Sequence, residues 1–321
     1  MALGPKALGN NPNTDPYYES TIVNLNFENN LNDLSPKKRT WNTINAGVQP
    51  AYTATNTLFG SASYHIPLVY AANSCTDIVT TSGLSDFAHP SNKFTFEIWW
   101  YPTAVSSGVL NGYDRTGTSY EYFGGWYDQE GVAYSSTAPN WMAYNDHGRI
   151  CYWYRGNSVP LDNTLSGGWY GPRQPGDTRA KSGTPGTSRP LDGSPASDQT
   201  GGAQYVGVNM WNWIVIQQWD TAAGSATAKQ GVKTYINGKL HNINSSANAT
   251  AYSTPASLGV LLGSWFNTSN YTAASASEPA GNRYNACGYF DGFRLTNGVI
   301  RYDNLGTGSD TIPVPKAPPL P

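Results

Sequence analysis

Residues 93–102, Lys93-Phe94-Thr95-Phe96-Glu97-Ile98-Trp99-Trp100-Tyr101-Pro102, carry the strongest pattern in the chain. Phe94, Phe96, Ile98 and Trp100 take alternate positions, and Thr95, Glu97, Trp99 and Tyr101 lie between them. Period two in aromatic and β-branched residues predicts a strand packed on both faces. Pro102 ends it, because proline has no N–H for a central ladder. Two later segments have the same character and are its expected sheet partners: residues 211–219, Trp-Asn-Trp-Ile-Val-Ile-Gln-Gln-Trp, and residues 288–296, Gly-Tyr-Phe-Asp-Gly-Phe-Arg-Leu-Thr.

The remaining pattern is also that of strands and turns. In residues 21–34, Val23, Leu25 and Phe27 alternate with Asn24 and Asn26, which predicts a half-buried strand followed by Asn/Asp turn chemistry. Residues 56–67 predict another short strand around Tyr64 and Ile66. Residues 231–243 alternate on both sides of Asn237-Gly238, the strongest local signal for a type I′ hairpin. Leu258 to Gly263 is a short apolar strand. No stretch sustains a 3.6-residue apolar period, so little helix is expected.

Between residues 106 and 170 the chain is dense in Tyr and Trp separated by Gly and Asp, which predicts short strands with tight turns. Residues 147–154 are the clearest of these. Residues 166–202 change character, with Gly, Pro, Ser and Thr and mixed charges. A stretch of that length without an apolar run exceeds the usual loop in a compact domain. Strong strands follow it, so it reads as part of a loop-rich insertion, about residues 103–205, within one domain spanning 21–312. Residues 1–20 form an extended arm too polar to fold alone. Residues 313–321, Pro-Val-Pro-Lys-Ala-Pro-Pro-Leu-Pro, form a proline-rich tail that favours polyproline II, lying either along its own domain or on a partner.

Composition narrows the function. Only 12 % of the 321 residues are charged, against roughly 25 % in an ordinary soluble protein. Net charge is −2, which leaves no electrostatic footprint for nucleic acid or an anionic membrane. The 11 Trp and 22 Tyr favour sheets and supply rings on which sugars and protein partners stack. Cys75, Cys151 and Cys287 are too few and too widely spaced for a disulfide framework or a zinc site. The first residues lack the apolar core of a leader, and no run approaches the ~20 apolar residues of a membrane span, so synthesis and assembly in a cytoplasm are expected.

Catalytic patterns are missing. A retaining glycosidase needs two carboxyl groups about 5–5.5 Å apart. The nearest candidates, Glu121, Asp128 and Glu130, have the wrong spacing. His65, His89, His147 and His241 are isolated. There is no Gly-x-Ser-x-Gly elbow and no phosphate-cradling loop. Hence no enzymatic activity is expected. The candidate ligand-binding residues are aromatic: Trp126, Tyr127, Trp141, Tyr144, Trp153, Trp169 and Tyr170. They lie near Gly- and Asn-rich turns, where rings could stack on a glycan while Asn and Asp bond its hydroxyls. The competing role for the same rings is packing in the core or between copies.

Four segments resemble one family. Residues 23–30, Val-Asn-Leu-Asn-Phe-Glu-Asn-Asn, resemble the opening strand of concanavalin A-like, laminin-G-like jelly rolls. Residues 94–102 resemble their FTxExWxYP strand. Trp213-Ile214-Val215-Ile216 followed by residues 232–238 is similar to their W-x-H-V-A…L-Y-V-D-G hairpin, without the His. Residues 288–296 with Gly298-Val299-Ile300-Arg301-Tyr302 are similar to the closing G-Y-I-D-E-F-R-I…G-V-A-R-Y, a form found especially in tailed-bacteriophage virion proteins. The resemblance implies an all-β sandwich of two antiparallel sheets, with Asp291 and Arg294 in structural roles. It also implies a non-enzymatic virion surface protein, a capsid decoration or tail appendage assembled in a host cytoplasm as a homo-oligomer. The arm and tail would contact other virion proteins, and aromatic loops would bind host glycans. No cofactor is implied. A sheet-edge calcium ion, as laminin-G-like domains sometimes carry, would draw on loop oxygens such as those of Asp114, Asp128 and Asp146, whose spacing forms no ligand motif.

Overall fold

The computed structural model describes residues 15–45, 51–66, 76–80, 86, 93–103, 121–127, 141–146, 149–154, 168–170, 206–207, 209–220, 229–248, 258–262, 288–302 and 311–316. Between residues 121 and 170, and in 258–262, the description is of backbone position. The strands are β1 Thr21–Leu25, β2 Asn42–Asn45, β3 Ala51–Thr53, β4 Ser63–Ile66, β5 Thr76–Val79, β6 Phe94–Tyr101, β7 Glu121–Tyr127, β8 Trp141–Asp146, β9 Arg149–Tyr154, β10 Gly168–Tyr170, β11 Asn212–Asp220, β12 Lys229–Ile236, β13 Lys239–Asn248, β14 Leu258–Leu262 and β15 Gly288–Asn297. The one helical piece among the described residues is a 3-10 turn, Tyr18–Ser20.

Every pairing is antiparallel, and the strands form two sheets. One has eight strands in the order β13-β12-β11-β6-β15-β4-β3, with β1 also on β15. The other has seven, β10-β9-β8-β7-β14-β5-β2. As the alternation predicts, β6 is central, flanked by β11 and β15. Its inward residues Phe94, Phe96, Ile98 and Trp100 are fully buried in the larger apolar cluster, which also takes in Ile78 of the opposite sheet. That cluster is the layer between the sheets. The hairpin turn forms at Asn237 and Gly238, both at positive φ (50° and 76°).

The outward face of the larger sheet is covered as well, which accounts for apolar residues at both parities of β6. A second cluster there joins Phe59, Trp99, Trp213, Val215, Tyr235 and Ile312. Ile312 comes from the proline-rich end: Thr311 bridges to Lys239, and the Ile312 N–H donates to the Gly238 carbonyl at 2.7 Å. A side chain at residue 238 would strike the Ile312 carbonyl oxygen, 2.5 Å from an ideal Cβ. Gly238 thus serves both the turn and the close passage of this segment. Residues 311–316 lie along their own domain, the first of the two placements open to the tail.

Within the segment 103–205, the short strands expected between residues 106 and 170 take the form of β7, β8, β9 and β10, which supply four strands of the smaller sheet. Gly124-Gly125 interrupts β7, whereas β8 and β9 contain no glycine. One expectation is revised. The opening strand stops at Leu25, with Phe27 in the left-handed region at φ 57°, and it is buried throughout rather than on one face. Residues 33–41 fold back over it. The Asp33 carboxylate accepts from the backbone N–H of Asn24, Ser35 and Arg39, and Arg39 donates to the Ile22 carbonyl.

Candidate ligand-binding surfaces

The seven aromatic candidates all fall on the four strands β7 to β10. Register places Trp126 opposite Trp141, which is opposite Tyr154. The next cross-strand row is Met142, Trp153 and Trp169, and the one after it is Ala143, Tyr152 and Tyr170. Tyr144 pairs with Tyr122 and Cys151, and Tyr127 with Leu258. Directly paired residues share a sheet face, and neighbouring rows alternate. The candidates therefore divide in two. Trp126, Trp141 and Tyr170 have one parity, and Tyr127, Tyr144, Trp153 and Trp169 have the other. Each group is a compact set of ring-bearing positions across neighbouring strands, but the seven do not form one platform.

On the outward face of the larger sheet, a balanced charge cluster locks the centre. Register sets Glu97 of β6 against Arg294 of β15. Arg294 donates bidentately to Glu97, at 2.7 Å from Nε and 2.8 Å from Nη2, and also to the Tyr302 hydroxyl at 2.8 Å. Asp15, from the segment before β1, accepts from Arg294 at 3.3 Å and from Arg301. Arg301 also lies over the Tyr17 ring, 5.1 Å from its centroid. Gln217 fixes the strand-following turn by accepting from the Arg301 and Tyr302 N–H groups at 3.1 and 3.0 Å. Burial opposes charge on Arg294, but Glu97, Tyr302 and Asp15 together outweigh it and hold the guanidinium above its ordinary value. Burial and then Glu97 push the Tyr302 hydroxyl up. Two cations against two anions, all buried, form a structural lock with no open valence for a ligand. Arg294 therefore holds the sheet together, as the structural role expected of it requires.

Asp291 sits in a bulge. The β6–β15 register jumps from Phe290↔Trp100 to Phe293↔Ile98, leaving Asp291 and Gly292 across from Trp99. Its Oδ2 accepts from the Leu58 and Phe59 N–H groups at 2.7 and 2.8 Å and so holds that loop, whose Phe59 ring meets Trp99 edge-on. Burial pushes the Asp291 carboxyl up to about 6, against those two N–H groups, and Glu28 adds to the rise. The folded chain therefore holds this proton more tightly than the unfolded chain, and folding takes up a proton between about pH 4 and pH 6. The stabilisation is complete below the unfolded value and is lost as pH rises through about 6. We expect urea unfolding to show a steeper fall in stability from pH 5 to pH 7 in the parent than in Asp291→Asn. Parallel falls would contradict this assignment.

A different aromatic set lies on the same outward face. His65, Tyr289 and Tyr101 are register neighbours on β4, β15 and β6. His65 stacks on Tyr289 with centroids 4.4 Å apart, Tyr289 meets Tyr101 at 5.8 Å, and Tyr101 meets Trp211 at 5.6 Å. All four are half-buried, so this is a continuous ridge of rings that reaches solvent. Burial lowers the His65 pKa, which favours its neutral form. Positions 65, 101, 211 and 289 share no motif. Only the register brings them together, although the outward parity of Tyr101 is legible in its own strand.

Among the described residues, no group of three or more His, Cys, Asp and Glu is placed to hold a metal ion, and no helix is long and apolar enough to cross a membrane. Asp146 and Glu121 are at strand ends of the smaller sheet, whereas Asp114, Asp128, Glu130, Cys75 and Cys287 lie outside the described residues.

No family model matches the chain, and no curated protein sequence matches it. Solved structures do. The binding domain of Paraclostridial Mosquitocidal Protein 1 aligns with a TM-score of 0.50 and 14 % identity, over 89 % of this chain and 50 % of that one. The botulinum neurotoxin serotype G binding domain aligns at 0.47 and 11 %, over 88 % and 48 %. The exoplasmic/lumenal domain of VIP36, in a Ca2+/Man3GlcNAc-bound form, aligns at 0.37 and 8 %, over 85 % and 90 %. The chain thus spans about half the length of the first two. The likeness is one of fold, and the fold is a concanavalin A-like jelly roll.

Proposed function

We propose that this chain is a non-enzymatic, glycan-binding surface protein of a tailed-bacteriophage virion. It displays its jelly roll on the capsid or tail and is assembled in the host cytoplasm as a homo-oligomer. The observation that carries the binding role is the register of β7 to β10, which gathers Trp126, Trp141 and Tyr170, or Trp153, Trp169 and Tyr144, into sets on neighbouring strands. Aromatic rings gathered this way offer stacking surface, and the Asn and Asp of the same strands offer hydroxyl partners. The virion setting rests on the likeness of residues 288–302 to phage virion domains, an argument by analogy.

Within that setting a dedicated tail adhesin gains on a pure decoration protein. Residues 15–20 and 311–316 are held by their own domain, through Asp15 and Ile312. Less of either end is then left to grip other virion proteins. The test is incubation with immobilised bacterial surface polysaccharides, followed by assays for retained protein and for new reducing ends. Retention without new reducing ends supports the reading. Progressive release of reducing ends would make the chain a glycan hydrolase instead.

A further inference from the structure

We propose that Arg294 and Arg301 form a seat for the carboxylate of an acidic sugar, closed in this structure by the chain's own Asp15. The seat is built from guanidinium nitrogens that the sheet leaves over. Arg294 engages Glu97 and Tyr302 through Nε and Nη2. Arg301 places Nε 3.4 Å from Glu97 and donates from Nη1 to the Thr296 hydroxyl at 3.0 Å. Nη1 of Arg294 and Nη2 of Arg301 remain. Both converge on one oxygen, Oδ2 of Asp15, the first at 3.3 Å. The two arginine side chains are 7 % and 5 % exposed, so an anion held there meets charge-assisted donors with little competing water.

The charge balance requires an occupant. Once Asp15 is lifted, Glu97 alone stands against two guanidinium groups, and a buried cation without a partner is costly. The present occupant sits on a lightly held strap. No residue of the turn Tyr18–Ser20 is buried. Among the described residues, the hydrogen bonds of 16–20 stay within 15–21. The Tyr17 N–H donates to Asp15 Oδ1 at 2.9 Å, the Tyr18 N–H to the Asp15 carbonyl at 3.1 Å, the Ser20 N–H to the Tyr17 carbonyl at 3.0 Å, and the Thr21 hydroxyl to the same carbonyl at 3.1 Å. The strap therefore grips the domain through the Asp15 carboxylate and through the Tyr17 ring over Arg301. Segments with few buried apolar contacts open locally at low cost. An external carboxylate then competes directly with the tethered one. That it belongs to a sugar rests on the glycan reading above. Half-buried Tyr302, packed edge-on against Trp213, supplies ring surface beside the seat.

Calorimetric titration of the parent and of full-length Asp15→Ala with glucuronate, glucose and acetate at constant ionic strength tests the seat. Removing the tethered competitor is expected to tighten glucuronate binding about tenfold. Arg301→Gln in the Asp15→Ala background should remove it, and glucose should bind neither chain. Equal glucuronate binding by the parent and Asp15→Ala, or binding that survives Arg301→Gln, would overturn the proposal. Acetate bound as tightly as glucuronate would overturn the sugar as its ligand. The parent gives a reading that does not depend on how the variants fold. Saturating glucuronate should raise hydroxyl-radical modification of Tyr17 several-fold, and unchanged modification would overturn the strap. Failure here leaves the rings of β7 to β10 untouched as a glycan site, because Arg294 lies on the other sheet.

Discussion

Replacing Arg294 by methionine is expected to lower the unfolding free energy by about 3–5 kcal/mol, the usual consequence of removing one partner from a buried ion pair. The Arg294 side chain is 7 % exposed and that of Glu97 3 %. Without the guanidinium, Glu97 and Asp15 face Arg301 alone, and the Tyr302 hydroxyl loses a donor. The loss should be largely insensitive to salt, because buried pairs are little screened. Guanidinium and urea unfolding at pH 7 read it directly. The double variant Arg294→Met/Glu97→Leu should be less destabilised than the sum of its parts, since the stranded carboxylate is then gone. A loss below about 1 kcal/mol in the single variant would place this pair with solvent-exposed ones and contradict its role as the lock of the outer face.

Trp100→Ala is expected to cost a similar amount, about 3–5 kcal/mol, through a different mechanism. Trp100 is fully buried between the sheets and stacks on Phe290, with centroids 6.5 Å apart. Truncation removes ring contacts and leaves a cavity that the paired strands on either side cannot close. Truncation leaves the backbone of residue 100 paired with Asn212 on one side and Phe290 on the other, so strand pairing itself is spared. Thermal and urea unfolding should show the loss, with the strand signature retained in far-UV circular dichroism. Loss of that signature at low temperature would mean instead that the ring is needed for the sandwich to form.

The three central strands were legible in the chain because each is rich in aromatic and β-branched residues, with Pro102 closing β6 and Gly288 opening β15. So was the Asn237-Gly238 turn, whose two positive φ values only such residues adopt readily. By contrast β2, β3 and β5 are four residues or fewer and include Asn42, Asn45 and Asp77, residues with little strand preference. Their order comes from the strands they pair with. Glu97 and Arg294 were legible as charges inside apolar strands, where each needs a partner, but nothing near Asp15 marks it as the third member. Its contribution depends on where the chain enters the sheet.

The same distinction separates the two aromatic surfaces. The Trp and Tyr of β7 to β10 are close in sequence, so their density was visible, while their division between two parities required the register. The ridge is a product of register throughout, joining strands almost 190 residues apart between Tyr101 and Tyr289. Concentration in sequence marks a surface only when neighbouring strands supply it. A surface assembled from distant strands leaves no local trace.

The central claim is that the aromatic strands β7 to β10 bind glycan. The most direct measurement is a glycan array probed with the parent and with Trp126→Ala and Trp153→Ala separately. These two positions lie in neighbouring rows of opposite parity, and in a sandwich only one face of the sheet is open to a ligand. The account predicts specific binding by the parent, lost in one folded variant and kept in the other. No specific binding by a folded parent, or binding kept in both variants, would contradict it.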